Sequence, residues 1–337
     1  MVSIVDIAQA AGVSHQVVSK TLNGGGSSSA ASEMTQLKIR ELARQMGYRP
    51  SSAGRAMRRG RYHSVGLLVG TSDDFLLPEA MMTSLACGLS KAGYTCTLHC
   101  AQTKEDAAMF SNPLLAEVRS DCLLISYVRP LAAETVERVG QIGTPVIWLN
   151  REAPENCIYV DEGQGALLLA EHLASQGHRQ LTLVDYGTDL EAPFFKRRFG
   201  ALRDFCAERG MLLSLVQRKL PRAERAAHVA EWLSWPNHPS AIIANSLSTA
   251  QIICQTALHR GMRLPDDLAV CSFDAGNWHQ ANFPVITCAV RSDTEFGAAA
   301  ARAVLARLEN PVAPIPSTAL SFTLSQGGTT RLQTQET

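Results

Sequence analysis

The sequence predicts a small all-α head followed by an α/β body of two doubly wound parallel-sheet subdomains. Three observations carry this reading. Helical periodicity occurs twice in quick succession between Ile4 and Leu22. From His63 onward, short Val/Ile/Leu-rich runs alternate with helical patterns. Charge is split unevenly between the two regions. A chain of 337 residues is long enough for two or three domains, and 46% hydrophobic against 18% charged residues supports large cores rather than wholesale disorder.

The head begins with VDIAQAAGVSHQVVSKTLN, Val5 to Asn23. Ile4, Ile7, Ala8 and Ala11 recur at helical spacing, and Gly12 ends the run where the backbone needs a positive φ. Ser14 is a natural N-cap for a second helix with Val17, Val18 and Leu22 as its inward stripe. Ala8 is small enough for a close crossing, and Val13 and Val18 fill the wedge. This is the helix-turn-helix plan, for which a plain structural helical hairpin is the alternative. His15, Gln16, Ser19, Lys20 and Asn23 then face outward, all polar and able to reach base edges or phosphates. With Ser14 they form the candidate DNA-binding set.

GGGSSSAAS, Gly24 to Ser32, reads as a flexible linker; no apolar strand precedes it and no Gly-Lys-Ser/Thr follows, as a nucleotide loop would require. A third helix follows in EMTQLKIRELARQMGY, with Leu37, Ile39, Leu42, Ala43 and Met46 as its apolar stripe and Gly47 as its stop. Up to Arg61 the chain carries nine Lys or Arg against three acids, a net +6; the remainder carries −6. A basic head on an acidic body fits a polyanion-binding module fused to a separate domain, although a solvated basic arm has the same charge.

In the body, SVGLLVG, TCTLHC, DCLLIS and PVIWL read as strands, with PEAMMTSLACGLSKAGY as a helix among them. The alternation resumes with QLTLVDY, PFFKRRFGALRDFCAERG, AIIAN, STAQIICQTALHRG and LAVCSFD. The nine cysteines are odd in number and scattered, most of them inside apolar runs, as reduced buried thiols are. CTLHC, Cys96 to Cys100, reads as a strand rather than a metal site, so neither metal nor cofactor is expected. His172 and His178 read as surface or capping residues. No basic-then-apolar leader opens the chain, and no apolar run approaches the roughly 18 residues of a membrane span, so a cytoplasmic, nucleoid-associated protein is expected, with no membrane contact. GTSDD and DYGTD offer neither a nucleophile elbow nor a metal constellation, so no catalytic residue and no enzyme activity are expected.

VDIAQAAGVSHQVVSKTLN, then QMGYRPSSAGRAMRRGR, then SVGLLVG together resemble the start of the lactose-repressor/galactose-repressor (LacI/GalR) family. GTPVIWLNR, YVDEGQGALLLAEHLASQGHR, AIIANSLSTAQIICQTALHRGMRLPDDLAVCSFDA and TCAVRSDTEFGAAAA resemble later family segments in the expected order. The resemblance implies a helix-turn-helix headpiece over 1–50, a hinge helix over 51–62, and a periplasmic-binding-protein-like body over 63–337. Its N-subdomain would span about 63–160 plus 291–320, and its C-subdomain about 161–290 plus 321–332. Ser51 to Gly60 would be the hinge segment that enters a minor groove, with Met57 as the wedge and Arg55 and Arg58 on phosphates; a flexible basic linker is the alternative.

The resemblance also implies an effector in the cleft between the subdomains, a sugar or a sugar phosphate or acid. The matching positions are Asp73, Asp74 and Phe75 after the first strand; Trp148, Asn150 and Arg151 in WLNR; Asp161 after IYV; Arg197 in Arg-x-x-Gly; Asn245 after AIIA; and Asp274 after CSF. Carboxylate, amide and guanidinium groups suit hydroxyl recognition, and Trp148 or Phe75 can stack on a sugar face. Ser246, Glu162 and Ala275 depart from the family's usual residues, as does the loop DDFLLPE, which leaves the ligand's identity open. Lys196, Arg197 and Arg198 together hint at an anionic one. One headpiece makes too few base contacts, so a homodimer on a pseudo-palindromic double-stranded operator is expected, with no C-terminal leucine heptads to extend the assembly. The effector would act as inducer or corepressor. A sugar-binding protein without regulatory DNA binding, or a sugar-acting enzyme, are the alternatives.

Overall fold

The computed structural model describes residues 2–22, 31–48, 61–70, 77–101, 119–126, 133–187, 190–273, 280 and 283–331. The expected hinge with Arg55, Met57 and Arg58 lies outside the described residues, as do Asn23, Asp73, Asp74, Phe75 and Asp274. The chain divides into two compact units, residues 1–63 and 64–337.

The first unit holds three helices: α1 (Ile4–Ala11), α2 (His15–Leu22) and α3 (Glu33–Gln45). Ser3 caps α1 reciprocally with Asp6, the serine hydroxyl accepting from Asp6 N and the carboxylate accepting from Ser3 N at 2.8 Å. Those hydrogen bonds hold the Asp6 carboxyl below its ordinary range. Gly12 closes the helix at φ 72°, the left-handed conformation a glycine adopts without steric cost. Ile7, Ala8, Ala11, Val18, Ile39 and Ala43 form the core, with Val13, Val17, Leu42 and Met46 packed around it.

One expected inward residue is misplaced. Leu37 is 64% exposed, while Ile39 is fully buried. Two positions on a helix differ by about 200°, so Leu37 and Ile39 cannot share a face; the stripe runs through Ile39, Leu42, Ala43 and Met46 instead.

The second unit contains two six-stranded sheets. The first has the order β11-β5-β4-β3-β1-β2, built from β1 (Ser64–Gly70), β2 (Thr95–Ala101), β3 (Cys122–Ser126), β4 (Val146–Leu149), β5 (Cys157–Val160) and β11 (Thr318–Leu320), all parallel. CTLHC lies on β2, at the sheet edge. The second has the order β12-β10-β9-β8-β6-β7, from β6 (Gln180–Tyr186), β7 (Leu212–Arg218), β8 (Ala241–Ala244), β9 (Ala269–Phe273), β10 (Thr287–Val290) and β12 (Thr323–Ser325). Only its β10–β12 pair is antiparallel.

Period-two alternation sends residues to both faces of each sheet, which is why the central strands β3, β8 and β9 are buried along their whole length, while the edge strands β2 and β7 expose Leu98 and Leu212. Val65, Leu67 and Val69 of β1 join one core cluster, while Leu68 joins another under α5 (Ala133–Gly140). Leu181 and Leu183 of β6 face α6 (Glu162–Ser175) and α7 (Pro193–Glu208); Val184 and Tyr186 face α8 (Arg222–Leu233) and α9 (Leu247–His259). α4 (Glu79–Lys91) and α10 (Asp293–Glu309) cover the first sheet together. They approach closely at Gly297, where an added Cβ would lie 2.2 Å from the Met81 carbonyl oxygen.

Among the described residues the chain crosses between the sheets three times: after β5, after β10, and between β11 and β12. All nine cysteines are free thiols. Burial pushes those of Cys122 and Cys254 up to about 12, so neither offers a thiolate near neutral pH. No helix among the described residues is long and apolar enough to cross a membrane.

Candidate functional site

In the first unit the structure turns a polar surface of α2 outward. His15, Gln16 and Lys20 are exposed and Ser19 half-exposed, on the side of α2 opposite buried Val18 and Thr21. Ser14, also exposed, has a local role: its hydroxyl accepts from Val17 N at 3.4 Å at the start of α2.

Two exposed basic residues of the head already have partners within it. Lys38 Nζ donates to the Ala11 carbonyl at 3.2 Å, so a cation from α3 satisfies an orphan acceptor at the C-terminus of α1. Arg44 forms a two-pronged pair with Glu41, at 3.0 and 2.6 Å, which holds the Glu41 carboxyl down at about 2.

In the second unit the C-terminal ends of β6 and β8 carry a buried polar network. Arg198 is 1% exposed, on α7. Its Nε donates to Glu162 Oε2 at 2.7 Å, and its Nη1 donates to both the carbonyl and the side-chain oxygen of Asn245, each at 2.9 Å. Asn245 in turn donates Nδ2 to Asp185 Oδ1 at 2.7 Å. The guanidinium carbon lies 3.9 Å from the Phe273 ring centroid and 5.3 Å from that of Phe194. Flat aromatic faces and charge-assisted hydrogen bonds together offset the desolvation of a buried cation.

Arg197, one residue earlier, points elsewhere. Its Nη1 meets Glu152, which follows β4 of the first sheet, so this ion pair joins the two halves; the two side chains are 45% and 37% exposed. Lys196 has a third glutamate, Glu191, at 2.5 Å. The cationic run read from the sequence is therefore matched cation by cation, each with its own carboxylate.

The other expected effector residues are placed as follows. Asn245 is 4% exposed within the network just described. Asp161 accepts from Gln164 N at 2.9 Å and caps α6. Asn150 adopts φ 58° immediately after β4, a conformation asparagine tolerates better than most residues, and donates its backbone N–H to the Ile158 carbonyl at 2.8 Å. Trp148 is 8% exposed in the core cluster beneath α5, with the Arg151 guanidinium 5.1 Å from its ring centroid. The structure thus brings Asn245 together with Asp185, Glu162 and Arg198, and Arg197 together with Glu152. It places Trp148 and Arg151 against one another.

Arg198, Asp185, Glu162 and Glu152 were not singled out as site residues from sequence. A signal for Arg198 exists: Phe195, Arg198, Leu202, Phe205 and Cys206 share the buried face of α7, so a cation stands at a core position of the helical pattern. Glu162, noted as a departure from the family's usual residue, is the carboxylate that pairs with it. Ser246, another departure, caps α9 through its hydroxyl, which accepts from Thr249 N at 3.3 Å. His172, read as a surface or capping residue, is buried at 3%, with Nε2 2.8 Å from Thr330 Oγ1. Desolvation lowers its pKa, with the neighbouring His178 adding to the shift.

Comparisons with known proteins agree with this architecture. A model of bacterial regulatory proteins of the lacI family matches residues 3–51, and a periplasmic binding protein-like domain matches residues 170–330. The fructose operon regulatory protein of Vibrio cholerae is 26% identical over 268 residues, covering 76% of this chain and 78% of that one. The catabolite repressor/activator of Salmonella typhimurium is 24% identical over 323 residues, covering 92% and 93%. Among solved structures, the lac repressor dimer bound to operator and the anti-inducer ONPF superposes with a TM-score of 0.85 at 19% identity, covering 98% of this chain and 99% of that one. A helix-turn-helix head matched to regulators, a body of two parallel-sheet halves, and relatives aligned along most of their length lead to one assignment: the chain belongs to the lacI family of bacterial regulatory proteins.

Proposed function

We propose that this regulator is a sequence-specific DNA-binding repressor of carbohydrate-utilisation genes, acting in the cytoplasm as a homodimer on a pseudo-palindromic operator. The observation that carries the reading is the polar surface of α2: His15, Gln16 and Lys20 are exposed on a helix whose other side is fixed by a dedicated core. A recognition helix needs rigid support and uncommitted polar side chains. The relatives' names, a fructose operon regulatory protein and a catabolite repressor/activator, support the carbohydrate assignment.

The ligand in this reading is a sugar or sugar derivative held between the two halves of the second unit. It favours one arrangement of those halves and thereby changes operator affinity. The coupling is reciprocal: a ligand that weakens operator binding tenfold is itself bound tenfold more weakly on operator. The chain performs no chemistry on the ligand; its buried thiols and hydrogen-bonded histidines serve packing.

Fluorescence anisotropy on a pool of pseudo-palindromic duplexes at two salt concentrations, with and without a sugar panel, tests the proposal. The expected result is tight, salt-dependent, sequence-selective binding that one compound shifts. The double variant His15→Ala/Gln16→Ala is expected to lose selective binding and keep the non-specific, salt-sensitive component. Equal loss on both kinds of DNA would remove α2 from base recognition, and absence of any selective binding would overturn the repressor assignment.

A further inference from the structure

The three crossings of the chain between the two sheets are bonded to one another. The first leaves β5 and enters α6, the second leaves β10 and enters α10, and the third joins β11 to β12. The first and third run side by side: Val160 pairs with Leu320, and Asp161 N–H donates to the Leu320 carbonyl at 2.8 Å. Beyond that point the strands of the first sheet have ended, and a side chain takes over. Gln164 Nε2 donates to the Phe322 carbonyl at 3.2 Å, and Phe322 N–H donates to Gln164 Oε1 at 2.9 Å. The second crossing meets the third where Val290 pairs with Thr323, whose hydroxyl also donates to the Val290 carbonyl at 3.3 Å.

We propose that Gln164 is a positioning residue for ligand control: it fastens the first crossing to the third, so that all three move as one joint. The two halves of the body then turn about that joint instead of flexing at three separate linkers. This inference rests on the reading of the chain as a ligand-controlled regulator.

The chemistry of the side chain suits the task. A primary amide carries both donor and acceptor, so it can satisfy both backbone groups of one residue as a strand neighbour would. The packing beneath is fitted to the same contact. Phe322 is 2% exposed and lies against Gly165, where an added Cβ would come within 2.5 Å of the ring. The third crossing is thus held to the first turn of α6 by its backbone and its ring together. That ring meets Phe273 edge-on, 6.1 Å between centroids, and the Arg198 guanidinium carbon lies 3.9 Å from the Phe273 centroid. The joint is therefore in contact with the polar network at the ends of β6 and β8, and open α/β sheets receive ligands at such strand ends. A ligand that shifts Arg198 or Phe273 acts on all three crossings together, because Gln164 holds them.

Hydrogen-exchange mass spectrometry on the full chain at low urea concentrations tests this with wild type, Gln164→Met, Gln164→Glu and Gln176→Leu. Gln176 is the control on the same helix: it bonds both backbone groups of Arg331, at 2.8 and 3.1 Å, away from the crossings. In wild type the segments 158–165, 287–293 and 318–325 are expected to open together with one urea dependence. In Gln164→Met, 287–293 and 318–325 are expected to exchange about tenfold faster, the scale of the two lost hydrogen bonds, and out of step with 158–165. Strands β8 and β9 should keep their wild-type rates. Gln164→Glu loses the donor and sets a carboxylate against the Phe322 carbonyl, so it should show the same pattern; either variant suffices if the other fails to fold. Gln176→Leu should release only the segment near Arg331. Crossings that already open separately in wild type, unchanged exchange at 318–325, or a uniform rise that includes β8 and β9 would each overturn the proposal.

Operator anisotropy on the same preparations, with a panel of neutral hexoses and hexose phosphates, reads the functional arm. The compound that shifts wild type is expected to shift Gln164→Met about fivefold less, and an equal shift would remove Gln164 from ligand control. A wild type that selects no duplex sinks the repressor assignment, and the exchange pattern then decides alone whether the three crossings form one joint.

Discussion

Arg198 holds Nε 2.7 Å from Glu162 Oε2, with side chains only 2% and 12% exposed. Glu162 is the first residue of α6, where the helix N-terminus favours a negative charge, and Arg198 lies on α7. The pair thus ties together the two helices that cover one face of the second sheet. Through Asn245 and Asp185 it also reaches the ends of β8 and β6.

Arg198→Met should therefore be severe. It leaves the Glu162 carboxylate buried without its cation, and breaking such a pair costs about 3–5 kcal/mol. All four tryptophans lie at or beyond position 148, so their fluorescence during urea unfolding reports the body and not the head. The urea midpoint should fall sharply in Arg198→Met and recover in part when Glu162→Gln is added. A midpoint within experimental error of wild type would show that the pair contributes nothing to stability.

The two lysines of the head should behave differently on DNA. Both are exposed, but Lys38 bonds the Ala11 carbonyl while Lys20 lies on the outward side of α2. If Lys20 contacts phosphate, Lys20→Ala lowers the slope of log affinity against log salt by about 1. Lys38→Ala should weaken operator binding by loosening the turn and leave the slope unchanged. A matching slope change in both variants would put Lys38 on the phosphates as well.

Gly297→Ala should destabilise the body through a single methyl group. The added Cβ would lie 2.2 Å from the Met81 carbonyl oxygen and 2.9 Å from Leu85 N, and backbone cannot move aside as a side-chain tip can. Overpacking of this kind costs about 1–3 kcal/mol, to be read from the same tryptophan-monitored urea curve. Gly140→Ala, with open space around its Cβ position, is the matched control and should leave the midpoint close to wild type.

Buried His172 should make stability fall as the solution is acidified. Desolvation lowers its pKa in the folded chain below the ordinary 6.5, so the unfolded chain binds the proton more readily. Its contribution is fully present above about pH 6.5 and is lost as pH falls from there toward the folded pKa. His178 and His228 are shifted in the same direction and add to the slope. His172→Gln should flatten the pH dependence of the urea midpoint below pH 6.5, and an unchanged slope would assign the effect to the other two.

The helical head, the order of strands and helices in the body, and the outward polar side of α2 were legible in the residues. Each is a local pattern: 3.6-residue periodicity beside a Gly12 turn, or a short apolar run ending before a helix. Where periodicity was read loosely, as for Leu37, the angle between positions on the helix corrects it. Run composition also hid the difference between Arg197 and Arg198. Adjacent residues on a helix point about 100° apart, so one joins the core face with Phe195 and Leu202 while its neighbour meets the other half of the body.

Sequence alone determined the helices of the head and most strands of the body, because each follows from the spacing of its own apolar residues; β7, α8, β11 and β12 were not legible in it. Only the tertiary structure decided which charges meet. Glu152 and Arg197 are 45 positions apart and lie beyond strands of different sheets; Glu162 and Arg198 are 36 apart and are buried together. Their partners, and hence which cation is buried with its carboxylate and which stays half exposed, depend on the crossing of the chain between the two sheets. No local pattern encodes that.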